Sequence, residues 1–321
     1  MRAAYIDRFD ADDPAAAVTI GERPDPEPPD GWAVVNVKAA SLNHHDVFTA
    51  RGVVRPEGGL PMILGMDAAG VDAHGNEVIV HSLIHSPGWV GDELLDPELT
   101  GLTQGPQGAF AEQVVVPERN LVRKPPELSF EEATCLPTSW LTAFRMLFVE
   151  AHLRPGDRVL VQGASGGVSS ACTTLGSAAG LRMWVTGRTA EKRAFAERLG
   201  AEQTFESGAR LPDRVEAVVD TVGEPTWKHS MNSVRKGGKI LVAGGTGGYV
   251  APLRIDQLFV RNIRISGVSM GSLEELERMV QFVVATGVRP TVDSVLPLEE
   301  VPNAIRRMVE GDLRGKIVIT P

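Results

Sequence analysis

Hydrophobic positions show two different patterns of spacing along this chain, and the change between them divides it into regions. Up to residue 124, short β-like runs at 33–40, 78–81 and 111–116 alternate with Pro/Gly turns. After Pro126, apolar runs of strand length alternate with segments of helical spacing, which is typical of a parallel, doubly wound sheet. The pattern predicts a β-rich region at 1–124, an α/β region at 125–270 and a tail at 271–321 that returns to the first region.

The individual elements follow from the same periodicity. The predicted strands of the α/β region are 158–162, 183–186, 215–222, 239–244 and 262–267, and its predicted helices are 140–148, 168–179, 190–199 and 227–234. The tail adds helices at 273–285 and 301–309 and a strand at 315–319. Residues 82–110 lack periodicity and are predicted to form a long loop, either covering a site or lying as plain surface.

A turn of small residues connects the strand at 158–162 to the next helix. Such a turn lets a pyrophosphate approach the backbone and the free N–H groups of a helix N-terminus. Ser169 stands where a third glycine is usual, so the turn departs from the standard dinucleotide fingerprint. The predicted cofactor contacts in this turn are Gly163, Ala164, Ser165, Gly166, Gly167 and Val168.

The end of the second strand, at 186–189, indicates which dinucleotide binds. A carboxylate usually stands there to bind the adenosine ribose, but this chain has none. Arg188 offers a planar fork that suits a 2′-phosphate, Gly187 leaves room for one, and Lys192 adds a second cation. The stretch therefore predicts NADP(H) rather than NAD(H), although Arg188 and Lys192 also fit as solvated residues of the next helix.

Composition restricts the class of partner. The 321 residues suit two domains, and the formal net charge of −9 without a basic block argues against nucleic acid or an anionic membrane as the main ligand. Cys135 and Cys172 lie far apart, which predicts neither a disulfide framework nor a cysteine zinc site and fits a reducing cytoplasm. The acidic start of the chain is unlike a secretion signal, and the uncharged run 159–181 is broken by glycines, unlike a membrane helix.

Several motifs occur in one order along nearly the whole chain: AASLNHHD, ILGMDAAG, GAFAEQVVVP, LSFEEATCLPTSWLTAF, VLVQGASGGVS, TGRTAEK, VVDTVG, GGKILVAGG and GKIVITP. Together they resemble the medium-chain dehydrogenase/reductase superfamily, and within it the zinc-independent quinone oxidoreductase branch. The resemblance implies a β-rich GroES-like domain formed by both chain ends, with a Rossmann domain inserted between them. It also implies a cleft where they meet and a homodimer.

The resemblance also implies further site residues. Asn43 falls at the nicotinamide and substrate oxygen, and His45 is a candidate proton donor because imidazole titrates near neutrality. A hydrogen-bonded structural role for His45 beside Asp46 fits equally well. The remaining predicted cofactor contacts are Thr142 at the nicotinamide end and, at strand ends facing the cofactor, Val222, Gly244, Thr246, Ser269 and Met270.

Departures from the family pattern indicate the chemistry. Zinc alcohol dehydrogenases have Cys where Asn43 stands and His where Met66 stands, and 82–110 contains no Cys, so no metal is expected. Phe48 replaces a Tyr that many quinone oxidoreductases have. Quinones and α,β-unsaturated carbonyls spread negative charge onto a remote oxygen and need no Lewis acid, so reduction of such substrates is predicted. The alternatives are a zinc-type alcohol dehydrogenase and a non-catalytic NADPH-binding sensor, crystallin-like protein or RNA binder.

Overall fold

The computed structural model describes all 321 residues, which form two compact units. Unit 1 comprises 1–138 and 272–321, and unit 2 comprises 139–271. The junctions thus fall at 138/139 and 271/272, where the sequence pattern placed them at 124/125 and 270/271. The segment after Lys124 bonds within unit 1, because the Ser41 hydroxyl donates to the Thr134 carbonyl at 3.1 Å and the Lys124 ammonium donates to the Leu128 carbonyl at 2.6 Å.

The strands are numbered in chain order. The first ten are β1 (Arg2–Ile6), β2 (Val18–Glu22), β3 (Trp32–Ser41), β4 (Met62–Ile63), β5 (Asp67–Asp72), β6 (Glu77–Val80), β7 (Leu83–Ile84), β8 (Thr100–Gly101), β9 (Gln113–Pro117) and β10 (Leu121–Arg123). Unit 2 contains β11 (Arg158–Gln162), β12 (Arg182–Gly187), β13 (Gln203–Glu206), β14 (Val215–Asp220), β15 (Val234–Val242) and β16 (Arg264–Gly267). The tail adds β17 (Val292–Pro297) and β18 (Lys316–Thr320).

The helices are α1 (His44–Ala50), α2 (Phe130–Ala133), α3 (Leu141–Phe144), α4 (Gly167–Ala178), α5 (Ala190–Arg198), α6 (Glu224–Ser233), α7 (Ile255–Arg261), α8 (Leu273–Thr286) and α9 (Val301–Glu310). Leu136–Trp140 and Arg145–Glu150 are π-helical. Helix α6 begins earlier than predicted because Gly223, at a φ of +90°, turns the chain and Pro225 fits the first helical turn. None of the helices combines the length and apolar character that a bilayer crossing requires.

The main sheet of unit 1 brings distant parts of the chain together. Its strand order is β10-β6-β5-β3-β18-β17, with β9 also paired to β3. Ser41 of β3 lies opposite Asp67 of β5 on one side and Val318 of β18 on the other. Continuing the β3/β18 register places Lys316 level with Asn43. The tail therefore completes unit 1 and delivers a lysine to the end of β3.

Unit 2 is built on a six-stranded sheet in the order β13-β12-β11-β14-β15-β16, and every neighbouring pair is parallel. The predicted Rossmann-type sheet is therefore confirmed. Chain order reverses on either side of β11, and ligands of such sheets bind at this switch point, beyond the carboxyl ends of the strands. The glycine turn follows β11 at that edge.

Candidate functional site

The turn after β11 forms the centre of the candidate cofactor site in unit 2. Gly163 ends the strand at a φ of +89°, and Gly166 caps α4. A Cβ at Gly163 would lie 3.5 Å from Ser169 Oγ and 3.8 Å from Val222 Cγ2, which are ordinary contacts, so it is the positive φ that favours glycine here. The N–H groups of the first turn of α4 have no partner within the helix and suit a pyrophosphate. All the predicted contacts from Gly163 to Val168 lie in this turn or at the helix start.

The end of β12 carries the residues predicted to bind the 2′-phosphate. Arg188 is exposed there. Arg193 of α5 donates from Nη1 to the Gly187 carbonyl at 3.0 Å. A Cβ at Gly187 would lie 2.9 Å from Arg193 Cγ and 3.2 Å from Ala164 Cβ. The expectation that Gly187 leaves open space is therefore wrong, because this glycine lets α5 and the glycine turn pack against the strand end.

A carboxylate on the neighbouring strand lies at the same edge. Glu206 ends β13 and is in register with Gly187. Its side chain is exposed, and Oε1 lies 3.6 Å from Arg193 Nη2. Glu206 lies at this edge only through the pairing of β12 with β13, so the local pattern at the end of β12 does not reveal it. Arg193 partly offsets the negative charge, and Arg188 is an exposed cation at this strand end.

The other predicted cofactor residues divide into two groups. Val222, Gly244 and Thr246 follow β14 and β15, and both the N–H and the hydroxyl of Thr246 lie 3.4 Å from the Thr221 carbonyl. Ser269 and Met270 follow β16 and share the same sheet edge, with Met270 at a φ of +52°. Thr142 and Lys192 instead lie on helices, Thr142 buried in α3 and Lys192 in the first turn of α5.

A buried carboxylate that sequence analysis did not single out holds the turn after β14. Asp220 Oδ1 accepts the N–H groups of Val222 and Gly223, both at 3.0 Å. The Thr226 hydroxyl donates to Oδ1 at 2.9 Å, and the Ser230 hydroxyl donates to Oδ2 at 2.6 Å. Asp220 has no exposed surface, so it shapes the turn rather than contacting a ligand. A lone carboxylate that ends a buried apolar strand is the local signal for such a role.

The second candidate site lies in unit 1, where α1 begins. The Asn43 amide donates from Nδ2 to the Ser41 carbonyl at 3.2 Å and to Asp67 Oδ2 at 2.7 Å. Its Oδ1 accepts from Lys316 Nζ at 2.6 Å. Because an asparagine amide has two hydrogens to donate, both hydrogens of Asn43 are engaged inside the protein.

Lys316 is the residue of this site that sequence analysis missed. Besides Asn43, its ammonium donates to the Leu42 carbonyl at 2.8 Å and to Asp67 Oδ2 at 3.4 Å. Asp67 also accepts the Ser41 hydroxyl at 2.8 Å and the Thr138 hydroxyl at 2.6 Å. Lys316 is 2% exposed and Asp67 is fully buried. The result is a buried ion pair whose remaining hydrogen-bonding groups are satisfied.

The predicted proton donor, His45, lies beside this network but is not poised to titrate near neutrality. Burial lowers its pKa to about 4, against a weak opposing effect of Asp67. Its Nε2 lies 2.9 Å from Thr103 Oγ1, and Thr103 adopts a φ of +67°, which is unusual for a β-branched residue. His45 is therefore a neutral, hydrogen-bonded imidazole. Thr103, at the end of the long segment 82–110, is the partner that local sequence does not reveal.

Two neighbours of His45 also have shifted pKa values. Burial, aided by Lys316 and Arg51, lowers the pKa of His44 to about 4. Burial raises the pKa of Asp46 to about 7, although the N–H groups of Asn43 and Gly65, bonded to its two oxygens at 2.8 and 2.9 Å, oppose that shift.

These shifts predict that the protein loses stability as the pH falls from about 6.5 to about 4. In this window, unfolded histidines bind protons that folded His44 and His45 do not, so acid favours the unfolded chain. Asp46 acts in the opposite direction, since it binds a proton in the folded state up to about pH 7, but two histidines outweigh one carboxyl group. Thermal melts across this range should show the loss, and a His44→Gln/His45→Gln variant should flatten it. An equal slope in that variant would contradict the assignment.

Comparisons with known proteins agree on the family. Residues 29–126 match the alcohol dehydrogenase GroES-like domain, and 199–319 match a domain described as zinc-binding dehydrogenase. A zinc-type alcohol dehydrogenase-like protein of Schizosaccharomyces pombe is 30% identical over 90% of each chain, and the acryloyl-coenzyme A reductase of Metallosphaera sedula is 28% identical over 94% of this chain and 96% of its own.

Two solved structures share the whole fold. The structure of an NAD-dependent alcohol dehydrogenase aligns over 100% of both chains at a TM-score of 0.93 and 32% identity. The 2-octenoyl-CoA carboxylase reductase CinF, in complex with NADP and 2-octenoyl-CoA, aligns over 99% of this chain and 87% of its own at a TM-score of 0.90 and 25% identity. The chain belongs to the medium-chain dehydrogenase/reductase superfamily, and it is an oxidoreductase.

The zinc implied by the family does not fit the residues of this chain. Asn43 and Met66 stand at two positions of zinc ligands, and the Asn43 oxygen faces an ammonium. The buried Cys135 thiol donates to the Glu131 carbonyl at 3.1 Å. No three His, Cys, Asp or Glu side chains form a metal-binding group. The polar side chains at this position form a buried ion pair with hydrogen bonds and do not form a set of metal ligands.

Proposed function

We propose that this protein is an NADPH-dependent reductase that transfers hydride to a quinone or an α,β-unsaturated carbonyl without a metal ion. The observation that carries the proposal is the closed network around Asn43, in which the Lys316 ammonium pairs with Asp67 where zinc relatives have metal ligands. Quinones and enones place the developing charge on a remote oxygen that hydrogen bonds can stabilise. Acryloyl-coenzyme A reductase and CinF support the enone class by their names.

The cofactor is NADP(H). The glycine turn after β11 and the start of α4 receive the pyrophosphate, and Arg188 pairs with the 2′-phosphate. The CinF complex with NADP supports this choice. Because another structural relative is an NAD-dependent alcohol dehydrogenase, the contact with the 2′-phosphate needs an experimental test. Val222, Gly244, Thr246, Ser269 and Met270 line the same edge, and Thr142 completes the nicotinamide end.

The residues of unit 1 have separate roles in the proposed reaction. The bound nicotinamide supplies a hydride from its C4. Asn43 shapes the site, because its amide hydrogens and oxygen are held by Asp67, Ser41 and Lys316. His45 provides a neutral hydrogen bond for a substrate oxygen, and Thr103, which has no exposed surface, holds the imidazole in place. Because the pKa of His45 is about 4, solvent supplies the final proton at neutral pH.

A non-catalytic NADPH-binding role is the second candidate. It is favoured by one observation: α1 offers no side chain that titrates as an acid near neutrality except the buried Asp46, whose oxygens both accept N–H groups. Tight NADPH binding without turnover would support this role.

The substrate class is tested by NADPH consumption with matched pairs of compounds. Each enone is compared with its saturated ketone, and each quinone with its hydroquinone. Consumption with only the enones or quinones supports the proposal. Consumption restricted to ketones, or oxidation of alcohols with NADP⁺, would assign an alcohol dehydrogenase instead.

The quaternary structure proposed for the enzyme is a homodimer formed through unit 2. Strand β16 ends the sheet with one neighbour, so its other edge has unpaired backbone groups. Exposed apolar side chains lie on α7 and the preceding loop: Tyr249, Val250, Ile255, Phe259 and Val260. Apolar clusters of this kind mark contact surfaces. The buried, reduced thiols Cys135 and Cys172 support the cytoplasm as the compartment.

A Phe259→Glu/Val260→Glu variant is therefore expected to be a monomer, because two buried charges at the contact oppose association. Light scattering measures the mass, which should be twice that of one chain for the unmodified protein. The control is Val90→Glu, on an exposed loop position of unit 1, which should remain dimeric. A dimer in both variants would place the contact elsewhere.

A further inference from the structure

The disagreement between the family's zinc and the residues of this chain centres on one side chain, Lys316. Its ammonium has three hydrogens and three acceptors: the Leu42 carbonyl, Asn43 Oδ1 and Asp67 Oδ2. It therefore has no hydrogen left for a substrate. Lys316 acts on the site through the groups that it holds.

The charges of Asp67 and Lys316 compensate each other inside the protein. Asp67 is fully buried and accepts hydrogen bonds from Ser41, Asn43 and Thr138 as well as Lys316. Lys316 is the cation that pairs with it. A buried carboxylate that loses its partner is strongly unfavourable, so removal of the ammonium destabilises the whole network.

Neighbouring strands of the main sheet of unit 1 position the three side chains of the network. Asp67 and Lys316 are anchored on β5 and β18, the strands nearest β3 on either side, and Asn43 directly follows the end of β3. All three side chains meet at one point, where Asn43 Oδ1 points towards the cation and Asn43 Nδ2 towards the anion. The ion pair thus fixes the orientation of the Asn43 amide.

We propose that Lys316 is the resident cation of this pocket: its ammonium takes the electrostatic place of the family's metal and positions Asn43 and Asp67. The expected effect of Lys316 on turnover rests on the proposed reductase activity. Its pairing with Asp67 and its positioning of Asn43 do not. Lys316 is a positioning residue and makes the site independent of added metal.

Chemical rescue tests the proposal. Lys316→Ala removes a group equivalent to n-propylammonium. The variant should melt several degrees lower than the unmodified protein and lose most of its turnover. Propylammonium chloride should raise both quantities, whereas 1-propanol, which fills the same space without charge, should raise neither. The unmodified protein should respond to neither compound. Equal rescue by propanol, or unaltered melting and turnover in the variant, would overturn the proposal.

If Lys316→Ala does not fold, a second pair of variants tests whether Lys316 acts by pairing with the charge of Asp67. Lys316→Met keeps most of the side-chain length and leaves Asp67 unpaired, and Lys316→Met/Asp67→Asn removes both charges. The double variant should melt higher than Lys316→Met, since it buries no unpaired charge. A double variant that is no more stable than Lys316→Met would show that charge pairing is not the role of Lys316. This comparison remains decisive even if no reductase substrate is found.

Discussion

An Arg188→Ala variant is expected to bind NADPH about 10- to 100-fold more weakly while its affinity for NADH stays the same. Arg188 is the exposed cation at the end of β12, and NADPH differs from NADH only by the 2′-phosphate. The neighbouring guanidinium of Arg193 does not replace it, because it is bonded to the Gly187 carbonyl and lies near Glu206. Fluorescence titration with the two cofactors measures both affinities.

Arg198→Ala is the matched control for Arg188→Ala. Arg198 is exposed on α5, the helix that follows Arg188, but lies in its last turn, away from the strand end. This variant should bind both cofactors as the unmodified protein does. An equal loss of NADPH and NADH affinity in Arg188→Ala would show that Arg188 supports the fold of the site and does not recognise the 2′-phosphate.

An Asp220→Ala variant is expected to lose about 3 kcal/mol of unfolding free energy. The substitution leaves the N–H groups of Val222 and Gly223 and the hydroxyl of Ser230 without their buried acceptor. Affinity for both cofactors should fall together, because the turn after β14 packs beside Gly163. Denaturant unfolding and cofactor titration measure the two effects.

Two further variants separate this role from a general effect of lost charge. Asp213→Ala removes an exposed carboxylate paired with Arg158 and should cost under about 0.5 kcal/mol. Asp220→Asn keeps one oxygen for the two N–H groups, so it should recover part of the loss. An Asp220→Ala variant as stable as Asp213→Ala would refute the structural role of Asp220.

The sequence predicted the architecture well because the information for it is local. Periodicity identified five of the six strands of the parallel sheet but missed β13 and helix α7. The small residues from Gly163 to Gly167 marked the turn between strand and helix. The start of α6 was placed too late because Gly223 and Pro225 control it, rather than the apolar spacing. The packing role of Gly187 was also hidden, since Arg193 fills the neighbouring space only after α5 folds back.

The network of Asn43, Asp67 and Lys316 in unit 1 was harder to predict from the sequence. Asn43 and Lys316 are 273 residues apart, and Asp67 and Lys316 are 249 residues apart, so no local pattern connects them. The sheet register brings them together. The pKa of His45 likewise depends on burial, which reverses the expectation based on an ordinary imidazole.

Hydride transfer without a metal ion is tested by NADPH oxidation with protein whose metal has been removed with chelator and whose residual metal content has been measured. A quinone and an enone serve as acceptors, before and after zinc is added back. Turnover per chain should be independent of residual metal and should not increase when zinc is added. Turnover that falls in proportion to the metal removed, and returns with zinc, would contradict it.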